Sequence, residues 1–154
     1  MALFMEYTTV EDTNTVAAIQ HLLATRGASA VQVGYDHGKV ENVHFLLVVG
    51  DGQRVPFSLP CRWQAIERLL KSKGKRPRKN DTIESMARRI AWRQILRWVE
   101  AQLALIETGM VKTEEVFLPY IIVKQGDGEL TMHQFLESKK YFALTGPKEN
   151  GKEP

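Results

Sequence analysis

Three runs of strand-favouring residues, separated by two tight-turn signals, constrain this chain more than any other feature. Residues 30–35 (Ala-Val-Gln-Val-Gly-Tyr) alternate with the period of two that a half-buried strand requires. Asp36-His37-Gly38-Lys39 then supplies a turn. Residues 40–49 alternate at first and become continuously apolar, as a central strand does. Gly50-Asp51-Gly52 is a second turn signal, and residues 53–59 read as the third strand. Pro56 removes a ladder donor there, which assigns that strand to a sheet edge. Turns this short permit only antiparallel pairing of neighbours, so the expectation is a three-strand meander. Its apolar face then needs a cover.

Helical periodicity on both sides provides one. Val16, Ile19, Leu22 and Leu23 recur at helical spacing after N-cap candidates at Asp12, Thr13 and Asn14, until Gly27 stops the helix. Pro60 opens a short helix over about 62–71, with Trp63, Ile66, Leu69 and Leu70 on its apolar side. Asp81 or Thr82 caps a long helix that runs to about Thr108, with Gly109 as the stop. On that helix Ala91, Trp92, Ile95, Trp98, Val99, Leu103 and Ile106 cover more than half the circumference, which makes it central to the fold. Thr113 caps a short helix limited by Pro119, Ile121-Ile122-Val123 adds a strand before Gly126-Asp127-Gly128, and Thr131 caps a last helix over Phe135 and Leu136. Residues 3–9 read as an extended segment, a candidate fourth strand. The fold class expected is α+β: one domain over 1–145, a basic exposed loop at 72–80, and a disordered tail over 146–154.

Composition agrees with such a domain and excludes several others. A chain of 154 residues with 44% hydrophobic and 25% charged residues is globular rather than disordered. Its single cysteine, Cys61, cannot form an internal disulfide or a Cys-rich zinc site, and suits a reducing compartment. The longest uncharged apolar stretch, 43–50, is too short for a membrane helix, and the first residues lack the basic start of a signal peptide. The cytoplasm of a bacterial host cell is the expected location, with no membrane partner.

The formal net charge of +3 hides an asymmetry. Residues 62–97 hold twelve Lys and Arg against Glu67, Asp81 and Glu84, a surplus of nine positive charges, whereas the rest of the chain is negative by six. The loop is the densest part: Lys71, Lys73, Lys75, Arg76, Arg78 and Lys79, with no apolar side chain from 72 to 80. Six phosphate contacts would give a steep salt dependence, a slope of about −5 on duplex DNA. On the long helix Arg89, Arg93 and Arg97 fall with Glu100 and Glu107 within about 80° of one another, a row able to offer forked donors to successive phosphates. The plainer account of that row is a solvent-facing strip in which Arg97 pairs with Glu100. Arg88 stands apart, toward the apolar side, where its head is expected to snorkel to water. Lys73-Gly74-Lys75 is no phosphate loop, because the second glycine, the hydroxyl residue and the preceding strand are missing.

Other chemistry is weaker. Trp63, Tyr35 and Phe57 are candidates for stacking on bases, although Trp63 reads better as a core anchor, as do Trp92 and Trp98. His21, His37, His44 and His133 have no zinc-binding spacing. Cys61 has basic neighbours and a helix start, which favour thiolate, but no local base, so a structural thiol is expected. Glu100 and Glu107 lie two turns apart and, with a third carboxylate, form a conceivable divalent-ion site, with ion pairing to the Arg row as the simpler account.

The run Ala91-Trp92-Arg93, then 98–110 (Trp-Val-Glu-Ala-Gln-Leu-Ala-Leu-Ile-Glu-Thr-Gly-Met), then 115–120 (Glu-Val-Phe-Leu-Pro-Tyr) resembles a widespread family of small bacteriophage and prophage proteins. The resemblance extends from the first helix through Gly27-Ala28, the meander and Phe57-Ser58-Leu59-Pro60 to Tyr120. It implies a phage or mobile-element setting and carries over no catalytic residue. The order of three strands followed by helices and basic residues also looks like the core of single-strand annealing proteins, an analogy of fold order only. The expectation is a non-catalytic nucleic-acid-binding protein, single-stranded DNA first, acting in replication or recombination without cofactor or metal. Alternatives are a phage-encoded adaptor or inhibitor of a phage or host protein, and a small metal-dependent nuclease using Glu100 and Glu107. A homo-oligomer is compatible with the first of these.

Overall fold

The meander forms as its turns dictate. In the computed structural model, which describes residues 1–140, β1 (Ala30–Asp36), β2 (Lys39–Val49) and β3 (Gln53–Pro60) pair antiparallel in that order. The first turn places His37 at φ 48 and Gly38 at φ 76, the left-handed pair that a two-residue hairpin matched to strand twist needs. Val31 lies opposite Phe45, Val33 opposite Val43 and Phe45 opposite Phe57, so one face of all three strands is apolar. β3 lies at the edge, as Pro56 requires; beyond it one isolated bridge joins Phe57 to Ile121.

One irregularity interrupts the ladder. The β1–β2 register shifts between Gly34 and Tyr35: Gly34 opposes Asn42 but Tyr35 opposes Val40, which leaves Glu41 as an inserted residue. Strict alternation from buried Val43 would send Val40 to the outer face. The bulge returns it to the core side, where it is buried. Asn42 meanwhile lies over Gly34 so closely that a Cβ there would sit 2.0 Å from Asn42 Oδ1. Any larger residue at 34 would require the Asn42 side chain to move.

The cover on the apolar face is α1 (Asp12–Thr25), which contributes Val16, Ile19 and Leu23 to the core cluster. α3 (Ile83–Glu107) packs against both α1 and α2 (Trp63–Ser72), and Trp92, Leu96, Val99 and Leu103 are buried on it. Phe45 and Phe57 stack at 5.3 Å between centroids, and Phe117 meets their rings from the side at 5.6 and 5.7 Å. Full burial of each such side chain contributes about 1.5–3 kcal/mol. A second cluster, Leu70, Ala87 and Ile90, lies between α2 and α3 and is joined by Leu3. The architecture is therefore α+β in one domain, with the long helix at its centre.

Local chemistry at the segment ends explains most boundaries. Thr82 caps α3 by accepting from the Ser85 N–H at 3.0 Å, and Gly109 at φ 75 follows its end. α1 begins at Asp12, with Glu11 as a cap residue that makes no side-chain bond. α4 (Thr113–Phe117) stops two residues short of Pro119, and its cap residue is Lys112, with Thr113 already inside the helix. It passes into a 3-10 turn, Leu118–Tyr120, where a proline near the start lacks only a donor that has no partner anyway. Ile121-Ile122-Val123 leads into a hairpin of β4 (Ile122–Gln125) and β5 (Gly128–Thr131), and Thr131 and Gln134 cap α5 (Met132–Ser138) reciprocally. The candidate fourth strand does not form. Residues 3–8 fold as successive turns, with Glu6 N–H donating to Leu3 O and Thr8 N–H to Met5 O, and Met5 adopts φ 64. The tail over 146–154 lies outside the described residues. Among those described, no helix is long and apolar enough to cross a membrane.

Candidate nucleic-acid interface

The basic loop is exposed, and its first half is tied to the N-terminal turns. Gly74 at φ 65 turns the chain out of α2, and Lys75 N–H donates to Leu70 O. Lys75 Nζ then reaches Glu6 at 2.9 Å, whose side chain is only 2% exposed. Glu6 also accepts from Leu3 N–H at 2.8 Å. The Lys75 bond, then the Leu3 amide, hold the Glu6 carboxyl below the usual carboxylate range, and Glu6 in turn raises Lys75. Lys73 Nζ donates to Met1 O at 3.2 Å, so the N-terminal segment and the loop are stitched together at two points. A run without apolar side chains can still order itself when its cations find buried or backbone acceptors.

These bonds divide the nine expected contact residues into two groups. Lys71 pairs with Glu67 one helical turn away. Arg89 forks onto both carboxylate oxygens of Asp81, and its side chain is 11% exposed. That bond is the main reason the Asp81 carboxyl is held low. Arg97 pairs with Glu100 at 2.8 Å, and among the described residues Arg93 reaches only Thr15 Oγ1, at 3.5 Å. The arginine row on α3 is therefore not three free forks. Arg76, Arg78 and Lys79 form the other group: each is exposed, and none has a side-chain hydrogen bond or ion pair among the described residues.

The three converge on clefts. Arg76 and Arg78, with the Lys75–Glu6 and Arg89–Asp81 pairs, line a hollow of about 210 Å³ together with Tyr7 and Thr8. Arg78 and Lys79 line the adjoining one, against Thr9 and Glu11. The walls are thus the loop on one side and the N-terminal turns on the other.

The remaining candidates separate cleanly. Phe57 is fully buried and cannot stack on a base, whereas Tyr35 is 66% exposed on the sheet. Trp63 packs against both core clusters, as a core anchor, and carries the Arg88 guanidinium 4.4 Å from its ring centroid. Arg88 does not snorkel. It is 4% exposed and donates to Glu41 at 2.8 Å, Glu84 at 3.1 Å and Val40 O at 3.1 Å. Burial works against its charge, and the two carboxylates more than offset that, so its pKa is raised. The bulge is the cause, because it turns Glu41 and Val40 toward α3. Cys61 is buried, and burial pushes its thiol up to about 12, overriding the helix start that favoured thiolate. Glu100 and Glu107 are engaged by Arg97 and Arg26, and among the described residues no group of three His, Cys, Asp or Glu side chains is placed to hold a metal ion.

Two exposed aromatic residues carry no sequence signal. Phe4 and Tyr7 are 62% and 74% exposed on the N-terminal turns. A short segment without periodicity does not reveal which of its side chains face out. Compared with known proteins, the chain matches no family model, no curated protein and no solved structure, so the reading of this site rests on its own chemistry.

Proposed function

We propose that this protein binds nucleic acid without catalysing a reaction, through Arg76, Arg78 and Lys79. The observation that carries the reading is their exposure without any side-chain partner among the described residues, in one stretch of four residues on a loop already anchored by Lys75 and Glu6. Two guanidinium forks and an ammonium group suit phosphate oxygens, and an ordered loop loses less freedom when it binds. The resemblance to bacteriophage proteins supports a place in phage replication or recombination.

Three free cations in the loop, rather than six, set its electrostatic share at a salt slope of about −2 on single strands and −3 on duplex. Between about 50 and 200 mM salt a slope of −2 amounts to roughly a twentyfold loss of affinity. The test is a fluorescence-anisotropy titration of the triple variant Arg76→Ser, Arg78→Ser, Lys79→Ser beside wild type at those two salt concentrations. Affinity should fall for every sequence alike, and the salt dependence should flatten by that factor. Unchanged binding would remove the loop from the mechanism.

A second reading, an adaptor for a phage or host protein, is favoured by one other feature. A hollow of about 320 Å³ between α2 and α3 is lined by Leu59, Ile66, Ile95, Trp98 and Tyr120, with Arg62 among its lining residues. It has the size and lining of a pocket for an apolar side chain. Failure to bind any nucleic acid, with capture of a partner abolished by Ile66→Asp, would favour that reading.

A further inference from the structure

Tyr7 sits where a stacking residue is needed. It lines the hollow that holds Lys75, Arg76, Arg78 and Arg89, and it also lines the neighbouring one that contains Arg93. The tyrosine, 74% exposed, thus lines two hollows, one with four cations beside the carboxylates of Glu6 and Asp81 and one with Arg93 beside Glu6. Its position is fixed from below. Leu3 is packed into the cluster of Leu70, Ala87 and Ile90, Gln94 Nε2 donates to Phe4 O at 2.8 Å, and Glu6 is clamped by Lys75. Met5 at φ 64 reverses the chain so that Glu6 points in while Tyr7 points out. Such a backbone conformation is sparsely populated for a methionine and persists only where the surroundings hold it. Arg93 is held loosely beside the second hollow: among the described residues its guanidinium makes one long bond, to Thr15 Oγ1 at 3.5 Å.

We infer that Tyr7 is a base-stacking platform, and that the substrate class is single-stranded nucleic acid whose backbone crosses the cleft between Tyr7 and Arg76–Arg78. The inference rests on the nucleic-acid reading of the loop and adds the discrimination between strands. In a duplex the base faces are covered by their neighbours, so an exposed ring gains little from it. A single strand can splay one base onto the ring while phosphates on either side meet Arg76 and Arg78. An aromatic face accepts any base, so the preference is for strandedness and not for sequence. Charge alone does not produce this, because phosphate contacts hold both kinds of strand.

The experiment uses the full chain, with a labelled oligo(dT) of about 20 nucleotides and a labelled duplex of the same length. Wild type should bind the single strand more tightly than the duplex. Tyr7→Ser should weaken single-strand binding about tenfold while duplex affinity and the salt slope stay unchanged. Tyr7→Phe, which keeps the ring, should retain the preference. Tyr35→Ser removes an exposed ring outside the cleft and should change neither probe. Because Tyr7 is exposed, the melting temperature of Tyr7→Ser should match wild type, which separates lost stacking from lost folding. Equal weakening of both probes by Tyr7→Ser, or none, would overturn the stacking role while leaving the loop reading intact. Binding of neither probe by wild type would overturn both.

Discussion

Arg88→Met removes the one buried cation that ties α3 to the bulge of β2, and its effect can be worked out from the partners left behind. The Val40 carbonyl is buried beside a buried side chain and loses its donor, which costs about 1–3 kcal/mol. The Glu41 carboxylate, 25% exposed, loses its only ion-pair partner among the described residues, whereas Glu84 keeps Lys39 at 3.1 Å and is 38% exposed. Water reaches both carboxylates, so their share lies below the about 3–5 kcal/mol of a fully buried broken pair. Loss of the contact over Trp63 adds roughly 1 kcal/mol, partly offset by the methionine side chain filling the same space. The net expectation is a destabilisation of about 3 kcal/mol, or about 6–12 °C in Tm for a chain of this length. Urea titration followed by circular dichroism measures it, with an unchanged slope showing that the unfolded state is the same. Arg97→Met serves as the comparison: it breaks an exposed pair and should lose no more than about 1 kcal/mol. An Arg88→Met variant within about 0.5 kcal/mol of wild type would refute the reasoning, because it would mean that neither the carbonyl nor Glu41 depends on the guanidinium.

Two further predictions concern acid and thiol chemistry. Glu6 and Glu84 are held below their ordinary value of 4.5 and Asp81 below 3.8, so in acid the unfolded chain binds more protons than the folded one. Their stabilisation is complete above those ordinary values and lost as pH falls through the lowered ones; the urea midpoint should therefore drop below about pH 4.5, less steeply in Glu6→Gln, and a midpoint flat down to about pH 3 would contradict the ion pairs. Cys61 is 4% exposed with its thiol pushed up to about 12, so a maleimide at neutral pH should label the native protein only through opening of the β3–α2 junction; labelling as fast as that of the urea-unfolded chain would show that the thiol is not buried.

Legibility in the sequence tracks the range of the interactions. The meander, the long helix and the caps at Thr82 and Thr131 are readable because each is decided within a few residues by turn chemistry, periodicity or a local side-chain bond. Pairing across the chain is not. Nothing local distinguishes Lys75 from Arg76, yet Lys75 meets a buried carboxylate almost seventy positions earlier and Arg76 does not. Arg88 defeats a local reading for the same reason: a lone arginine on an apolar arc snorkels unless another element brings it carboxylates, and here a one-residue insertion in β2 does so. The N-terminal turns look extended because residues 3–9 show no helical period, and their anchor, Leu3 in the α2–α3 cluster, is a long-range contact. β5 is four residues beginning with a glycine, too short to announce itself.

The insertion at Glu41 also sets a rule of parity for the first hairpin. Measured from the turn at His37-Gly38, the two strands do not keep the same odd–even phase: up to Val40 the inward side chains fall on one phase, and from Val43 onward on the other. Removing Glu41 would straighten the ladder and leave Val40 two positions from Val43, so Val40 would stay on the core face and Lys39 on the outer one. What the insertion adds is therefore Glu41 itself, a carboxylate delivered to the buried Arg88 while Val40 keeps its place in the core.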